Sequence, residues 1–585
     1  MVPKLDSASM VSNMLDPKCF SAQASTASKV ACSQPEDPRS VDSADIKQPT
    51  SQQTVDWRSN DAVVLQPLYT RNGSGTSSPM IRDRDYLLRG MTTERGQSLS
   101  VDLRQRHSHP DPEQTNRAAL DDLQGGVTSL ELRLDRAVRS GSWQVFSVNR
   151  TTANEMPCDG IRGDELLSNE LLGEDGVMLY EASDFDTAFA AVPLDQTAIA
   201  LDAGNSFLAA AASIAALWER RGVDPTEARG AFAADPIGSL SRDPSLSRLR
   251  GKPMLGLSDL ATWTSRTFPH VSSVAVDTTT YYDGGGTDTQ ELAFSIATAV
   301  QYLRAMTTTR DSRTESLSID HAAAQILFRY SLGTDHFLSI AKLRAARALW
   351  ARVLNACGGS PSSMKIQTCT SSRVMTDRDL NLNLLRNCVV VFSGLLGGAD
   401  TITSLPLDHA IQLPDTFGRR MARNTVLILS EEAQLRRVVD PSGGSYFFET
   451  ITNQLCEQAW SLFQEVERRG GMLACVRNGW VAKQVAQSAQ KWASQFAYGE
   501  KTIVGVTKFV NSRDRVVRRA PPDLDRLREI AMQRCAEHGD AQVAIPLFEH
   551  GPNLAEAMFV AAQSGASIPQ MNRMLGDQAS REVSQ

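Results

Sequence analysis

No run of eighteen or so consecutive apolar residues occurs in this 585-residue chain, so nothing in it is expected to span a membrane as a helix. Metal-ligand spacings are missing as well. The nine cysteines, among them Cys357, Cys369, Cys388 and Cys456, are scattered without a CxxC pair. That pattern fits reduced thiols in a cytosolic chain better than a disulfide framework. There is no excess of positive charge: the net charge of -7 argues against nucleic acid as the principal partner. Residues 1–56 have little apolar periodicity and are rich in Ser, Ala, Thr, Gln and Asp, a composition that cannot bury enough surface to offset its ordering entropy, so they are expected to be disordered. This segment has no apolar core like that of a secretory signal, and its early acids Asp6 and Asp16 argue against a mitochondrial presequence. The expected compartment is the cytoplasm, or the mitochondrial matrix in a eukaryotic host.

What is present is an ordinary globular composition, 41% apolar and 22% charged. The length exceeds what one hydrophobic core usually serves, so further units are expected around one large domain. From about residue 63 to residue 424, short apolar segments alternate with amphipathic helices, the sign of a parallel α/β architecture. Strands are expected at 129–134, 198–202, 254–257, 273–279, 364–369 and 400–405, with helices between them at 206–221, 291–306 and 337–356. Periodicity leaves an open doubly wound sheet and a closed barrel nearly level. Gly284, Gly285 and Gly286 form a turn after the strand at 273–279. Asp288 with Glu291 is expected to open the next helix as a capping box, with Leu292, Phe294, Ile296, Val300 and Leu303 on its buried side.

Several motifs in fixed order resemble the adenosylcobalamin-dependent acyl-CoA mutases, the methylmalonyl-CoA mutase family. They are PLYTR at 67–71, LRQ at 103–105, VDTTTYYDGGGTDTQELAFSIATAVQYLRAM at 276–306, IAKLRAARALWARV at 340–353, LNLLRN at 382–387, GGADTITSLPLD at 397–408, RRMARNT at 419–425 and VVDPSGGSYFFETIT at 438–452. PLYTR and SLPLD are similar to the small, non-catalytic subunit of the heterodimeric mutases. The resemblance implies a (β/α)8 TIM barrel, with function at the C-terminal ends of its strands: 279–286, 369–373 and 403–409. It also implies a division into a disordered extension (1–56), an N-terminal arm (57–90), the barrel (91–437), a helical region completing it (438–519) and a helical linker (520–585). No C-terminal flavodoxin-like cobalamin domain is expected, because HGPNLAEAMFVAAQSGASIPQMNRML at 550–575 resembles the linker preceding that domain and no Asp-x-His-x-x-Gly occurs.

The departures from the family pattern gather at the barrel mouth. The Tyr-His pair that orients the acyl group in catalytic members falls on Thr279 and Thr280. Another active-site Tyr falls on Arg106, and a Gln falls on Cys369. The Asn and Glu that hold the adenosyl group fall on Leu405 and His409. Hydroxyls and an aliphatic chain cannot supply the imidazole donor or the ribose-binding carboxylate. No catalytic, cofactor-binding or metal-binding residue is therefore expected in this chain. Adenosylcobalamin and acyl-CoA are expected in a catalytic large-subunit partner of a heterodimer, which interconverts methylmalonyl-CoA and succinyl-CoA. Two alternatives stand beside this reading: an acyl-CoA mutase barrel with altered substrate that takes cobalamin from a separate subunit, and a free-standing barrel with a non-enzymatic binding role.

Plainer readings are preferred for the remaining features. Gly284, Gly285 and Gly286 lack the following Lys-Ser/Thr of a nucleotide loop, which favours a tight turn over a phosphate cradle. Lys342, Arg344, Arg347 and Arg352 are expected to form a solvated face, or bridges to acids such as Asp335, in preference to a CoA-phosphate site. Residues 446–448 read as a short strand after the turn at 440–445. Cys369 is expected to be a buried, inert thiol.

Overall fold

The computed structural model describes residues 57–58, 64–65, 101–141, 171–243, 253–308, 316–360, 364–411, 413–514, 521–537 and 553–583. The extension at 1–56, the PLYTR motif and most of the expected arm lie outside the described residues. Eight parallel strands close into a barrel. In chain order they are β1 (Asp102–His107), β2 (Ser129–Arg133), β3 (Ala198–Asp202), β4 (Arg229–Ala234), β5 (His270–Asp277), β6 (Ile326–Leu332), β7 (Lys365–Thr370) and β8 (Thr401–Thr403). β8 pairs with β1, where Ile402 is in register with Leu103, and this closes the ring. The chain is thus a TIM barrel, as the resemblance implied.

Outside the ring lie the long helices Phe207–Arg220, Pro253–Thr267, Asp288–Thr307, His336–Ala356 and Leu380–Leu396. The apolar residues that face them come from alternate strand positions: Leu130 and Leu132, Val274 and Val276, Phe328 and Tyr330. Trp218, Phe232, Trp263 and Phe268 meet as one aromatic cluster, with ring centroids 5.3–6.2 Å apart. No helix among the described residues is long and apolar enough to cross a membrane.

Several elements differ from expectation. Residues 254–257 lie in the helix Pro253–Thr267, where Gly256, Leu257, Leu260, Ala261 and Thr264 bury one face at helical spacing. Residues 446–448 open the 23-residue helix Tyr446–Arg468. The capping box before Asp288–Thr307 is made by Thr287 and Gln290, one residue earlier than expected, and a short helix, Thr279–Asp283, precedes the glycine turn. The helix His336–Ala356 has no solvated basic face. Lys342, Arg344 and Arg347 are buried, and Asp335 caps the helix by accepting from the Leu338 amide, so it bridges none of them. Arg344 pairs with Asp440 at 2.9 Å and Glu449 at 2.7 Å. Arg347 binds the Met364 and Gly398 carbonyls.

The segment expected as a linker is docked on the barrel. Leu554–Gln563 packs on Phe207–Arg220, the Leu554 amide donates to Asp259 at 2.9 Å, and Asn572 donates to Ser206 at 2.8 Å.

Candidate active-site region at the barrel mouth and axis

Strand residues whose neighbours face the helices point into the barrel, and in this chain the inward set is largely charged or polar. β1 contributes Arg104 and Arg106, β2 Glu131, β5 Asp277, β6 Arg329 and β7 Gln367 with Cys369. An apolar group of Ala200, Ala231 and Leu327 also packs here, apart from the main core. Arg104 donates to Ser129 at 2.8 Å and to the Gln367 amide oxygen at 3.1 Å. Gln367 donates to Glu131 Oε2 at 3.0 Å and Thr403 at 2.9 Å. Arg329 pairs with Asp277 at 3.1 Å and reaches Glu131 at 3.5 Å.

The strand order gives these contacts their meaning. In the ring, β2 and β6 stand four strands apart, which is diametrically opposite, and β2 and β7 stand three apart. A contact from Glu131 to Arg329 therefore crosses the axis, and the one from Glu131 to Gln367 nearly does.

The charges are matched. Burial opposes ionisation of Glu131, but Arg106, Arg329 and Arg104 outweigh it and hold the carboxyl at about 2. Asp277 is likewise held at about 2, burial being outweighed by Arg242 and Arg329. Nearer the mouth, Arg133 bridges Asp202 at 2.5 Å and Asp175 at 2.6 Å, and Arg242 pairs with Asp277 at 2.7 Å.

The residues singled out in the sequence fall around this network. Arg106 pairs with Glu131 at 2.7 Å and keeps a quarter of its side chain exposed. Cys369 is buried, and burial pushes its thiol up to about 12 against the pull of Arg329 and Arg106. Thr279 donates to Asp277 at 2.5 Å and so joins the same network. Thr280 gives its carbonyl to the Gly284 amide. Leu405 is buried, with its amide donating to Thr370, and His409 is exposed. The structure thus gathers Arg106, Cys369 and Thr279, brings His409 within the field of Arg106, where desolvation and that guanidinium lower its pKa, and leaves Thr280 and Leu405 apart from the charges.

Glu131, Asp277, Arg329 and Gln367 were not singled out by sequence reasoning. A charged residue inside an otherwise apolar strand, as in ILFRYSL or SLELR, was the available signal.

The mouth is held shut at one side. Asp283 accepts from Ser331 at 3.1 Å and Ser371 at 2.6 Å. Arg373 donates to the Tyr282 and Gly286 carbonyls while lying over the rings of Tyr282 and Trp492. Trp492 belongs to the helix Trp480–Ala497. Gly285, at φ +107°, lies so close to this helix that a Cβ would collide with Ala489. That is the physical reason for the glycine turn. Lys342 is buried under the same corner, with Asp288 at 2.8 Å and Glu291 at 2.7 Å; burial disfavours its charge, but the two carboxylates hold it protonated. Among the described residues, no three of His, Cys, Asp and Glu are grouped to hold a metal ion.

A profile of the methylmalonyl-CoA mutase family matches residues 59–581. The chain belongs to this family. It is 34% identical to the methylmalonyl-CoA mutase small subunit of Streptomyces virginiae over 82% of its own length and 69% of that protein. The small subunit from Propionibacterium freudenreichii subsp. shermanii is 30% identical over 80% of the chain and 65% of that protein. A methylmalonyl-CoA mutase large subunit from Porphyromonas gingivalis is 26% identical over 78% of the chain and 61% of that protein. Another relative, the methylmalonyl-CoA mutase of Cereibacter sphaeroides, is matched over 58% of its length. The chain therefore spans roughly three fifths to two thirds of these mutase-family relatives.

Proposed function

We propose that this chain is the non-catalytic small subunit of an adenosylcobalamin-dependent methylmalonyl-CoA mutase. In that role it supports the interconversion of methylmalonyl-CoA and succinyl-CoA carried out by a catalytic partner, and the barrel with its helical additions serves as a scaffold. The observation that carries the reading is the crossing of the barrel axis by Glu131, Arg329 and Gln367. An acyl-CoA bound along a barrel axis needs an open path, and these side chains occupy it in a network of ion pairs and hydrogen bonds. Displacing them would leave buried charges without partners, at a cost of several kcal/mol.

The mouth supports the same reading. Thr279 and Thr280 offer hydroxyls where catalytic relatives are expected to offer Tyr and His, and Arg106 is engaged by Glu131. The cofactor does not fit the residues that fall on its expected contacts: Leu405 is a buried aliphatic chain, and His409 offers no carboxylate. A mutase barrel with an altered substrate would face the same blocked axis.

The test uses the purified chain with adenosylcobalamin and methylmalonyl-CoA. No cobalamin spectrum should remain after desalting, and no succinyl-CoA should form. Turnover by this chain alone would overturn the proposal.

A further inference from the structure

The helix Leu380–Leu396 and the loop that follows Trp480–Ala497 together expose an apolar surface that no other described residue covers. On the helix, Leu385 is 66% exposed and Val389 37%, one turn apart on the same face, with the exposed Cys388 between them. On the loop, Tyr498 is 82% exposed, Val504 48%, Phe509 80% and Val510 54%. The two parts are joined directly. Arg386 donates to the Val504 carbonyl at 2.6 Å, and Gly505 packs on Leu382. Phe509 is held out at φ 55°, a left-handed conformation that is unfavourable for a bulky side chain.

Taking ~150–250 Å² for each aromatic and ~60–120 Å² for each aliphatic side chain, scaled by exposure, the open apolar area is on the order of 500 Å². That is at the upper end of what a free monomer shows, about 300–600 Å². It is also well over half of the ~800 Å² that one partner contributes to a standard interface.

We infer that this surface is the docking site for a second barrel of the same family, the catalytic chain of the mutase. The inference rests on the subunit reading above and adds to it the place of contact. The residues flanking this surface, before the helix and along the loop, carry both signs, with Arg378, Lys501, Lys508 and Arg513 interspersed with Asp379, Glu500 and Asp514, all exposed or half-buried. An apolar centre inside a mixed polar rim is the anatomy of a protein interface; a membrane or nucleic-acid surface would select positive charge alone. The large subunit that matches 78% of this chain indicates that the partner carries the same fold.

The test compares the full chain with the double variant Leu385→Asp, Phe509→Ser, each mixed with the catalytic large chain from the same genome. Both positions are exposed, so the variant's thermal unfolding should match the wild type, and Leu385→Met serves as the conservative control. Sedimentation should show a one-to-one complex for the wild type and the control, and at least a hundredfold weaker association for the double variant. Maleimide labelling of Cys388 should be fast in the free chain and suppressed in the complex.

If the wild type forms no complex, the subunit reading itself fails. If the complex forms, the double variant binds as tightly and Cys388 stays reactive, the surface assignment fails and the subunit reading survives. Two other results would also overturn the assignment. One is Cys388 protected in the isolated monomer, which makes a segment of this chain the occupant. The other is a homodimer of this chain broken by the double variant, which makes a second copy the occupant.

Discussion

The two faces of the barrel strands are filled in opposite ways. Outward, Leu130, Leu132, Phe328, Tyr330 and Ile366 pack against helices in a continuous apolar layer. Inward, the residues between them, Glu131, Arg329 and Gln367, build a network of charges and amides. One face gains its stability from area removed from water. The other gains little net stability, because desolvating its charges offsets their attraction, yet each member depends on all the others. The outer layer should therefore tolerate conservative apolar exchange, whereas the inner network should tolerate almost no single deletion.

The largest effect is expected at Arg329. Its removal in Arg329→Ala leaves Glu131, Asp277 and Gln367 buried with fewer partners, and breaking a buried pair costs ~3–5 kcal/mol. Ile366→Val on the outward face should cost only ~0.5–1.5 kcal/mol. Denaturant midpoints would measure both. A double-mutant cycle with Glu131→Gln should show coupling of ~0.5–3 kcal/mol. Additive effects, or a loss below ~1 kcal/mol at Arg329, would mean that the axis is less interdependent than its geometry implies.

Acid should separate the two faces as well. Glu131 and Asp277 are held at about 2, below their unfolded values, so their contribution is complete above pH ~4.5 and is lost as pH falls through 2. Three buried acids outside the axis act the other way. Burial raises Asp135 and Asp235 to about 6 and Glu291 to about 7, so their contribution is complete below pH ~4 and is lost as pH rises through 6 to 7. Burial and Arg419 lower His107 to about 3, which costs stability as pH falls from 6.5. The three acids outweigh the histidine between pH ~7 and ~4.5. Stability should therefore rise modestly as pH falls across that range and fall steeply below it. Denaturation midpoints as a function of pH would check this, and a steep loss beginning above pH 6 would contradict it.

A smaller effect is expected where the mouth meets the helix Trp480–Ala497. Gly285→Ala combines an unfavourable φ of +107° with a collision at Ala489, and ~1–3 kcal/mol is expected. The loss should be local, seen as faster hydrogen exchange in residues 480–497 with the barrel strands unchanged. Uniformly faster exchange would show that this helix and the barrel unfold as one unit.

Much of this was legible in the sequence, for reasons that differ along the chain. β2, β3, β5, β7 and β8 announce themselves as short apolar segments, and the family motifs decide for a closed barrel. β4 does not, because RGAFAA is built of small residues and carries a register shift between Ala231 and Ala234. β6 is interrupted by Arg329, and residues 254–257 imitate a strand until the turns beyond them are counted. The substitutions at Thr279, Thr280 and Cys369 were visible as departures from a pattern. The network that fills the space was not, since Glu131 and Arg329 are 198 positions apart and meet only because the ring places β2 opposite β6. Burial of Lys342, Arg344 and Arg347 was hidden for a similar reason: their partners Glu291, Asp440 and Met364 come from other elements.

The smallest effect is expected at Thr280, whose side chain takes no part in the charged network of the axis. Its carbonyl caps the short helix before the glycine turn, a role any residue fills, and its side chain is only partly buried. Thr280→Val keeps the volume and removes the hydroxyl, so stability should change by less than ~0.5 kcal/mol. Thr279→Val should cost slightly more, because it removes the hydroxyl bonded to Asp277 at 2.5 Å, worth ~0.5–1.5 kcal/mol. Under the non-catalytic reading, neither change should alter the turnover of the assembled mutase. The discriminating measurement is kcat of the complex alongside the unfolding midpoint of the variant chain. A Thr280→Val complex that assembles normally and unfolds normally yet loses turnover would place this mouth at the reacting atoms, and a blocked axis would then no longer imply a silent site.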